Sequence, residues 1–333
     1  MKTVNWLLVG AGDIATRRAG PALDAVKCSE VLAVCSRSHE RAAILAEQLK
    51  VKKVYLDYDQ ALAESGANAV YIATPQETHV EMSLKALQAG KHFLCEKPVG
   101  LNGAEGLRLL KAVRRSSLVA SVSNYRRLSE QYKVTEDMLR RQEIGRLRGG
   151  WAVYSAPFYN PGNRRVFQAN GSSRIKELCF YLIDIVHNVF GMPVGVATQA
   201  SILDKVAMND VEDIASIVMK FRGGELFTIV SNVGPVCRHE LEFFGDQGSI
   251  YWQQWPPHGN GPVLKITPKG TQTVEARTDP NWHLPMIEDY VDALRNGRQP
   301  VCTVESAAKT EVITDAIFRA IASGKTETVS WEG

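Results

Sequence analysis

In the first third of the chain, hydrophobic positions fall in short unbroken runs rather than in alternation. Asn5-Trp6-Leu7-Leu8-Val9, Glu30-Val31-Leu32-Ala33-Val34-Cys35, Ala69-Val70-Tyr71-Ile72-Ala73, His92-Phe93-Leu94-Cys95 and Leu118-Val119-Ala120-Ser121-Val122 are of this kind. Such runs mark strands buried on both faces, as in a parallel sheet. Lys52 to Leu56 reads as a further strand. Helical stretches lie between them, through Ala25, from about Val80 to Ala89 with Gly90 as a left-handed cap, and amphipathically from Leu101 to Ser116. Strand–helix alternation at this spacing predicts a doubly wound α/β parallel sheet.

Farther on the pattern changes. Gly150 to Phe158, Val196 to Leu203, Ile214 to Phe221, Leu226 to Ser231 and Glu240 to Trp252 read as strands with glycine turns, several alternating apolar and polar residues; Met286 to Asn296 and Val304 to Ala322 read as helices. At 333 residues the chain exceeds what one core usually holds, so two domains are expected, with the boundary near Ser123 to Arg127. No low-complexity linker or repeat separates them.

Composition narrows the function classes. With 45% hydrophobic and 23% charged residues, a net charge of +3 and no long basic run, nothing points to nucleic acid or an anionic membrane. Mean hydropathy is −0.15 and no stretch nears the ~20 apolar residues of a membrane span. Cys28, Cys35, Cys95, Cys179, Cys237 and Cys302 form no CxxC and no His/Cys ligand spacing, as expected of reduced core thiols without a metal site. The amino terminus enters a strand at once, with a run too short for a signal segment. A cytoplasmic location is the expectation.

Candidate chemistry begins at Gly10-Ala11-Gly12-Asp13-Ile14-Ala15, a G-x-G-x-x-A stretch with a strand before it and a helix after it. Gly10 permits the tight turn, Gly12 lets a pyrophosphate approach the backbone, and Ala15 keeps helix and strand close. The helix amino terminus offers free N–H groups to phosphates. After the second strand, where an NAD site usually has an acid, stand Ser36-Arg37-Ser38, with Arg41 a turn later. A hydroxyl and a planar guanidinium suit a 2′-phosphate, so NADP(H) is preferred; NAD(H) stays open if Arg37 only stacks on adenine. A third element is Glu96-Lys97-Pro98, where a buried strand delivers an acid and a lysine and Pro98 ends the ladder. Lys97 could hydrogen-bond a substrate oxygen there, or merely pair with Glu96.

The glycine loop, Ala73-Thr74-Pro75-Gln76-Glu77-Thr78-His79 and Glu96-Lys97-Pro98, at these separations, resemble the Gfo/Idh/MocA oxidoreductases. The likeness covers nearly the whole chain, including the Ile144-Gly145 turn and the Asp279-to-Asn296 helix entry. It implies a Rossmann dinucleotide-binding domain over 1–124 and an α+β domain over 125–333 with a large, mostly antiparallel open sheet, whose carboxyl-terminal segment can pack back on the first domain. It also implies nicotinamide-dependent hydride transfer at a secondary alcohol or carbonyl of a sugar, polyol or diol, and a homodimer or homotetramer formed through the open sheet.

The resemblance carries over residue by residue. Lys97 becomes catalytic or substrate-orienting. In the segment Gly171 to Asp184, Glu177 stands where the family has Asp and Tyr181 where it has His, four residues apart and so one turn apart on a helix face. A tyrosine there resembles the glucose–fructose oxidoreductase and dihydrodiol dehydrogenase branches, in which it serves as acid/base; Glu177 would hold Lys97. Gly171-Ser172-Ser173 replaces the usual triple glycine, and Cys179 a glycine. Cofactor contacts are expected from Gly10, Gly12, Asp13, Ile14, Ala15, Ser36, Arg37, Arg41, Ala73, Thr74, Pro75, His79, Glu96, Lys97 and Asn124. Substrate contacts are expected from Lys97, Arg126, Asp184 and His283, and a contact at the nicotinamide end or substrate from Arg165, whereas His187 is expected to cap or pack beneath the sheet. The competing reading is a catalytically inactive nicotinamide-nucleotide sensor or scaffold that has drifted at the Glu177–Tyr181 helix.

Overall fold

The structure is a computed structural model that describes residues 3–157, 173–208, 210–254, 261–277 and 279–333. The chain divides into two compact units, residues 1–128 with 279–308 and 333, and residues 129–278 with 309–332.

In the first unit the apolar runs become β1 (Val4–Val9), β2 (Ser29–Cys35), β3 (Lys53–Tyr55), β4 (Ala69–Ile72), β5 (His92–Cys95) and β6 (Ala120–Val122). They form a six-stranded sheet in the order β3-β2-β1-β4-β5-β6, parallel at every pairing. Trp6, Leu7, Leu8, Tyr71 and Phe93 are fully buried, because helices cover both faces of such a sheet. Those helices are α1 (Gly20–Ala25), α2 (His39–Gln48), α3 (Tyr58–Glu64), α4 (His79–Gln88) and α5 (Gly103–Arg114). α5 starts two residues later than the pattern suggests, at a reciprocal cap. The Asn102 side chain accepts from the Glu105 N–H at 3.0 Å, and Glu105 accepts from the Leu101 N–H at 2.7 Å.

Sheet order reverses between β1 and β4, which makes their carboxyl ends the crevice where such sheets receive ligands. Gly10, at φ +99°, leaves β1 there; a Cβ on it would lie 2.2 Å from the Ala73 carbonyl oxygen. Among the described residues, a Cβ on Gly12 would meet nothing within 4 Å. The helix that follows widens to a π turn over Ala15–Ala19, with the Gly20 N–H bonded to the Ala15 carbonyl, before α1 begins. Pro21 explains the widening: it has no N–H for the Arg17 carbonyl, and its ring would clash with that carbonyl in a regular α turn.

The second unit holds α6 (Glu130–Arg140), β7 (Leu147–Ala156), α7 (Phe180–Phe190), β8 (Gly195–Ser201), α8 (Lys205–Met208), β9 (Ile214–Lys220), β10 (Leu226–Val233), β11 (Arg238–Gly245), β12 (Ser249–Trp252), β13 (Val263–Thr267) and β14 (Gly270–Val274). After α9 (Leu284–Asn296) in the first unit, α10 (Val304–Ser323) and β15 (Glu327–Thr328) complete the chain. The nine strands run β14-β13-β12-β11-β7-β10-β9-β8-β15 and are antiparallel except for β7 against β10.

Alternation decides which face is covered. Ala152, Tyr154, Ile217, Phe227, Ile229, Leu241 and Phe243 point into a core shared with Met138 of α6, Leu182 and Val186 of α7, and Ile313 and Ile317 of α10. Phe190 stacks on Phe221 at 4.9 Å between ring centres. The opposite face carries half-buried Trp151, Val153, Val230 and Tyr251. Glu240 to Trp252 proves to be a hairpin, two strands about Gly248. α6, β13 and β14 were not foreseen; β14 reads Gly-Thr-Gln-Thr-Val and has no apolar face to announce it.

The two loop glycines should respond oppositely to alanine. Gly10→Ala would place a side chain at positive φ, worth about 1–2 kcal/mol alone, and drive it into a backbone oxygen. Denaturant unfolding should show a loss above ~2 kcal/mol, whereas Gly12→Ala should stay within ~0.5 kcal/mol of native. Equal losses would remove the close approach of β1 to the β4 loop as the reason for Gly10.

Candidate active site

The carboxyl ends of the parallel strands carry the expected residues of the first unit. Past β2, the Ser38 hydroxyl caps α2 by accepting from the Arg41 N–H at 3.4 Å, and Ser36 Oγ accepts from the Ser38 N–H at 3.3 Å. Arg37 and Arg41 are exposed. Asp13 is exposed too, on the turn of Arg17 at 3.4 Å.

Past β4, Thr74 Oγ1 and Thr78 Oγ1 are hydrogen-bonded at 2.7 Å, closing the loop on itself. His79 is 2% exposed, with Nδ1 2.7 Å from the Pro98 carbonyl and Nε2 2.9 Å from the Thr74 carbonyl. The ring therefore braces the β4 loop against the Glu96-Lys97-Pro98 loop, and neither nitrogen faces open space. A neutral imidazole donates to only one of the two carbonyls. Burial nevertheless lowers its pKa against the pull of both.

Past β5, Glu96 is 7% exposed and Lys97 half-buried; the Lys97–Pro98 peptide is cis. One oxygen of Glu96 receives the Tyr71 hydroxyl at 2.7 Å and approaches His283 Nε2 at 2.9 Å. Burial pushes the Glu96 carboxyl up, but His283, Tyr71 and Lys97 outweigh it and hold the group below its usual range. Past β6, Asn124 is buried, and Arg126 lies with its guanidinium 5.5 Å from the Tyr125 ring centre. His283, expected to meet substrate, is 2% exposed, with Nε2 on Glu96 and its ring packed on Tyr125 at 4.9 Å.

In the second unit, the helix entry is held by Glu212, whose Oε1 accepts from Ser173 Oγ at 2.5 Å and from the Ile175 N–H at 2.8 Å. A π turn over Ile175–Cys179 follows, so Glu177 lies within a wide coil and Tyr181 in the first turn of α7 beyond it. Glu177 accepts from Arg174 Nη1 at 3.0 Å. Tyr181 is 8% exposed, edge-on to Phe180 at 6.3 Å. Asp184 is 2% exposed, accepting from Asn188 Nδ2 at 3.3 Å and lying 3.6 Å from His187 Nε2, which also meets Thr310 Oγ1 at 3.0 Å. α7 is buried on every side from Phe180 to His187, Tyr181 and Asp184 included. Arg165, Gly171 and Ser172 lie outside the described residues.

Sequence reasoning passed over Tyr71 and Glu212. Tyr71 sits in an apolar run and looks like core; Glu212 lies in an acidic turn far from the helix it caps.

Residues 4–124 match the oxidoreductase family with an NAD-binding Rossmann fold, and residues 132–251 match the GFO/IDH/MocA C-terminal domain. The chain belongs to the Gfo/Idh/MocA oxidoreductases. Among its relatives, 1,5-anhydro-D-fructose reductase of Ensifer adhaerens is 25% identical over 96% of this chain and 97% of its own. Trans-1,2-dihydrobenzene-1,2-diol dehydrogenase of Mus musculus is 27% identical over 76% of each. Aldose-aldose oxidoreductase from Caulobacter crescentus, solved with glycerol, superposes with a TM-score of 0.90 over 98% of this chain and 99% of that one, at 20% identity, a likeness of fold.

In this Gfo/Idh/MocA chain the brace through His79 has a pH signature. Its lowered pKa means that below about 6.5 the unfolded chain takes up a proton that the folded one refuses. Half-buried His92, whose pKa burial also lowers, acts in the same sense. Unfolding free energy should therefore fall as pH drops from 7 toward 5, and His79→Gln should flatten that slope while lowering stability at pH 7 by about 1–3 kcal/mol. An unchanged slope would show that His79 titrates alike folded and unfolded.

Proposed function

We propose that the chain transfers hydride between NADP(H), in preference to NAD(H), and a secondary alcohol or carbonyl of a sugar, polyol or diol. The observation that carries the reading is the placement of Lys97. It follows a buried strand of a parallel sheet whose switch-point loop leaves Gly12 open for a phosphate, and it stands beside an ionised carboxylate that favours its ammonium. Exposed Arg37 and Arg41, with no acid at the end of β2, support the 2′-phosphate. Sugar and diol substrates in the names of relatives point to the substrate class.

When bound, the nicotinamide ring supplies the hydride acceptor or donor. The Lys97 ammonium donates a hydrogen bond to the substrate oxygen. Tyr181, as a phenolate favoured by the neighbouring ammonium, takes the hydroxyl proton to become the phenol during oxidation, and the phenol returns it during reduction. Gly12 and the N–H groups of the following helix turn hold the phosphates. Pairing of two copies across the open face of the nine-stranded sheet belongs to the same reading, supported by half-buried Trp151, Val153, Val230 and Tyr251. Six free cysteines support a reducing compartment, the cytoplasm.

Turnover is tested by following reduced-nicotinamide absorbance over a panel of polyols, aldoses and dicarbonyls. Lys97→Met should abolish it while cofactor affinity stays within about tenfold, ~1.4 kcal/mol. Tyr181→Phe should lower it by roughly 10²–10⁴. Native rates in either variant would sink that residue's role, and tight cofactor binding without turnover on any compound would turn the reading toward a sensor. The phosphate is tested separately by fluorescence titration. Arg37→Asp should weaken NADPH at least ~10-fold more than NADH, about the worth of one charge-assisted hydrogen bond; equal losses would show that Arg37 does not read the phosphate.

A further inference from the structure

We propose that His283 is a positioning residue for Lys97, acting through the Glu96 carboxylate. The inference rests on the reading that Lys97 meets the substrate, and it adds residues that act without touching it.

Glu96 and Lys97 are consecutive, so the direction in which the carboxylate is held bears on where the ammonium stands. The carboxylate is 7% exposed, and one oxygen is fixed from two sides, by the Tyr71 hydroxyl of β4 at 2.7 Å and by His283 Nε2 at 2.9 Å. Tyr71 is contributed by the sheet itself. His283 arrives from 187 residues away.

The segment that brings it is tied down along its length. Arg18 Nη1 donates to the Pro280 carbonyl at 2.9 Å, and the Asn281 side chain donates to the Arg18 carbonyl at 2.8 Å. The Arg18 guanidinium lies 4.1 Å above the Trp282 ring, and the His283 N–H donates to Asn281 Oδ1 at 3.2 Å. Among the described residues, buried Nδ1 of His283 has no hydrogen-bond partner, and the side-chain hydrogen bond of the ring goes to Glu96. A ring 2% exposed that makes one side-chain hydrogen bond, to the neighbour of the lysine, is placed to set that neighbour.

Charge follows from the same geometry. The groups facing Glu96 are Tyr71 from β4, His283 ahead of α9, Lys97 and Cys95 on its own strand end, and His79 at the start of α4. A buried carboxylate that loses a donor becomes easier to protonate, and a protonated Glu96 no longer presents an anion to Lys97.

The test needs no substrate. Lysines are reductively methylated with ¹³C-formaldehyde, and the Lys97 signal is assigned by its loss in Lys97→Arg. Its resonance is then followed with pH in protein with cofactor absent. The high-pH step reports Lys97 itself, and a low-pH inflection reports Glu96 beside it. Glu96→Gln should remove the inflection and lower the Lys97 midpoint by ~1 unit or more. His283→Phe should raise the inflection by ~1 unit, and Tyr71→Phe, which removes the other donor, should raise it too. His283→Gln, whose amide N–H can still donate, should return it close to native. An inflection unmoved in both Phe variants, or a Gln variant that behaves like Phe, would reduce His283 to packing and overturn the proposal. A Lys97 midpoint unmoved in Glu96→Gln would do the same. Failure of the catalytic reading shows elsewhere, as native turnover in Lys97→Met, so the two outcomes are separable.

Discussion

The first unit depends on how closely β1 can pass the loop after β4. At the point where the sheet reverses its order, the Gly10 backbone lies against the Ala73 carbonyl with no room for a methyl group. That approach sets the crevice, and the crevice fixes what can be placed around it. Gly12 stands open on one side, the Thr74–Thr78 loop closes another, and the Glu96-Lys97-Pro98 turn follows one strand over. A single missing side chain thus determines the geometry of three loops.

Around that crevice the polar groups that burial would penalise are held by partners on other elements. His79 ties the β4 loop to Pro98, and Glu96 is ringed by Tyr71 and His283. Each contact offsets a desolvation cost that a lone buried group could not meet. The result is a lysine held half-exposed among groups that have almost no freedom. Rigid neighbours hold a side chain's geometry constant.

Much of the first unit was legible because its signals are local. Unbroken apolar runs, the G-x-G-x-x-A turn and the proline that ends β5 each declare themselves within a few residues. In the second unit alternation disclosed several strands and the family resemblance their α+β class, but β13 and β14 were not legible, since their residues alternate weakly and carry threonine and glutamine. The π turns escaped for a different reason. Pro21 could have signalled the first, yet nothing in Ile175 to Cys179 marks the second. Partners distant in sequence were the least visible of all. His283 looked like a ligand because it heads a helix, and only the folded chain shows it turned onto Glu96. That Lys97 and Tyr181 serve one reaction was legible only through the family resemblance, because they lie 84 residues apart in sequence.

The nine-stranded sheet ends on one side in β14, five residues of glycine, threonine, glutamine and valine, and on the other in β15, two residues long. Unpaired strand margins are where sheets recruit foreign strands and polymerise. Here one margin is polar and mostly exposed and the other too short to template a ladder. A broad nine-stranded sheet can therefore resist growth into fibrils from either rim.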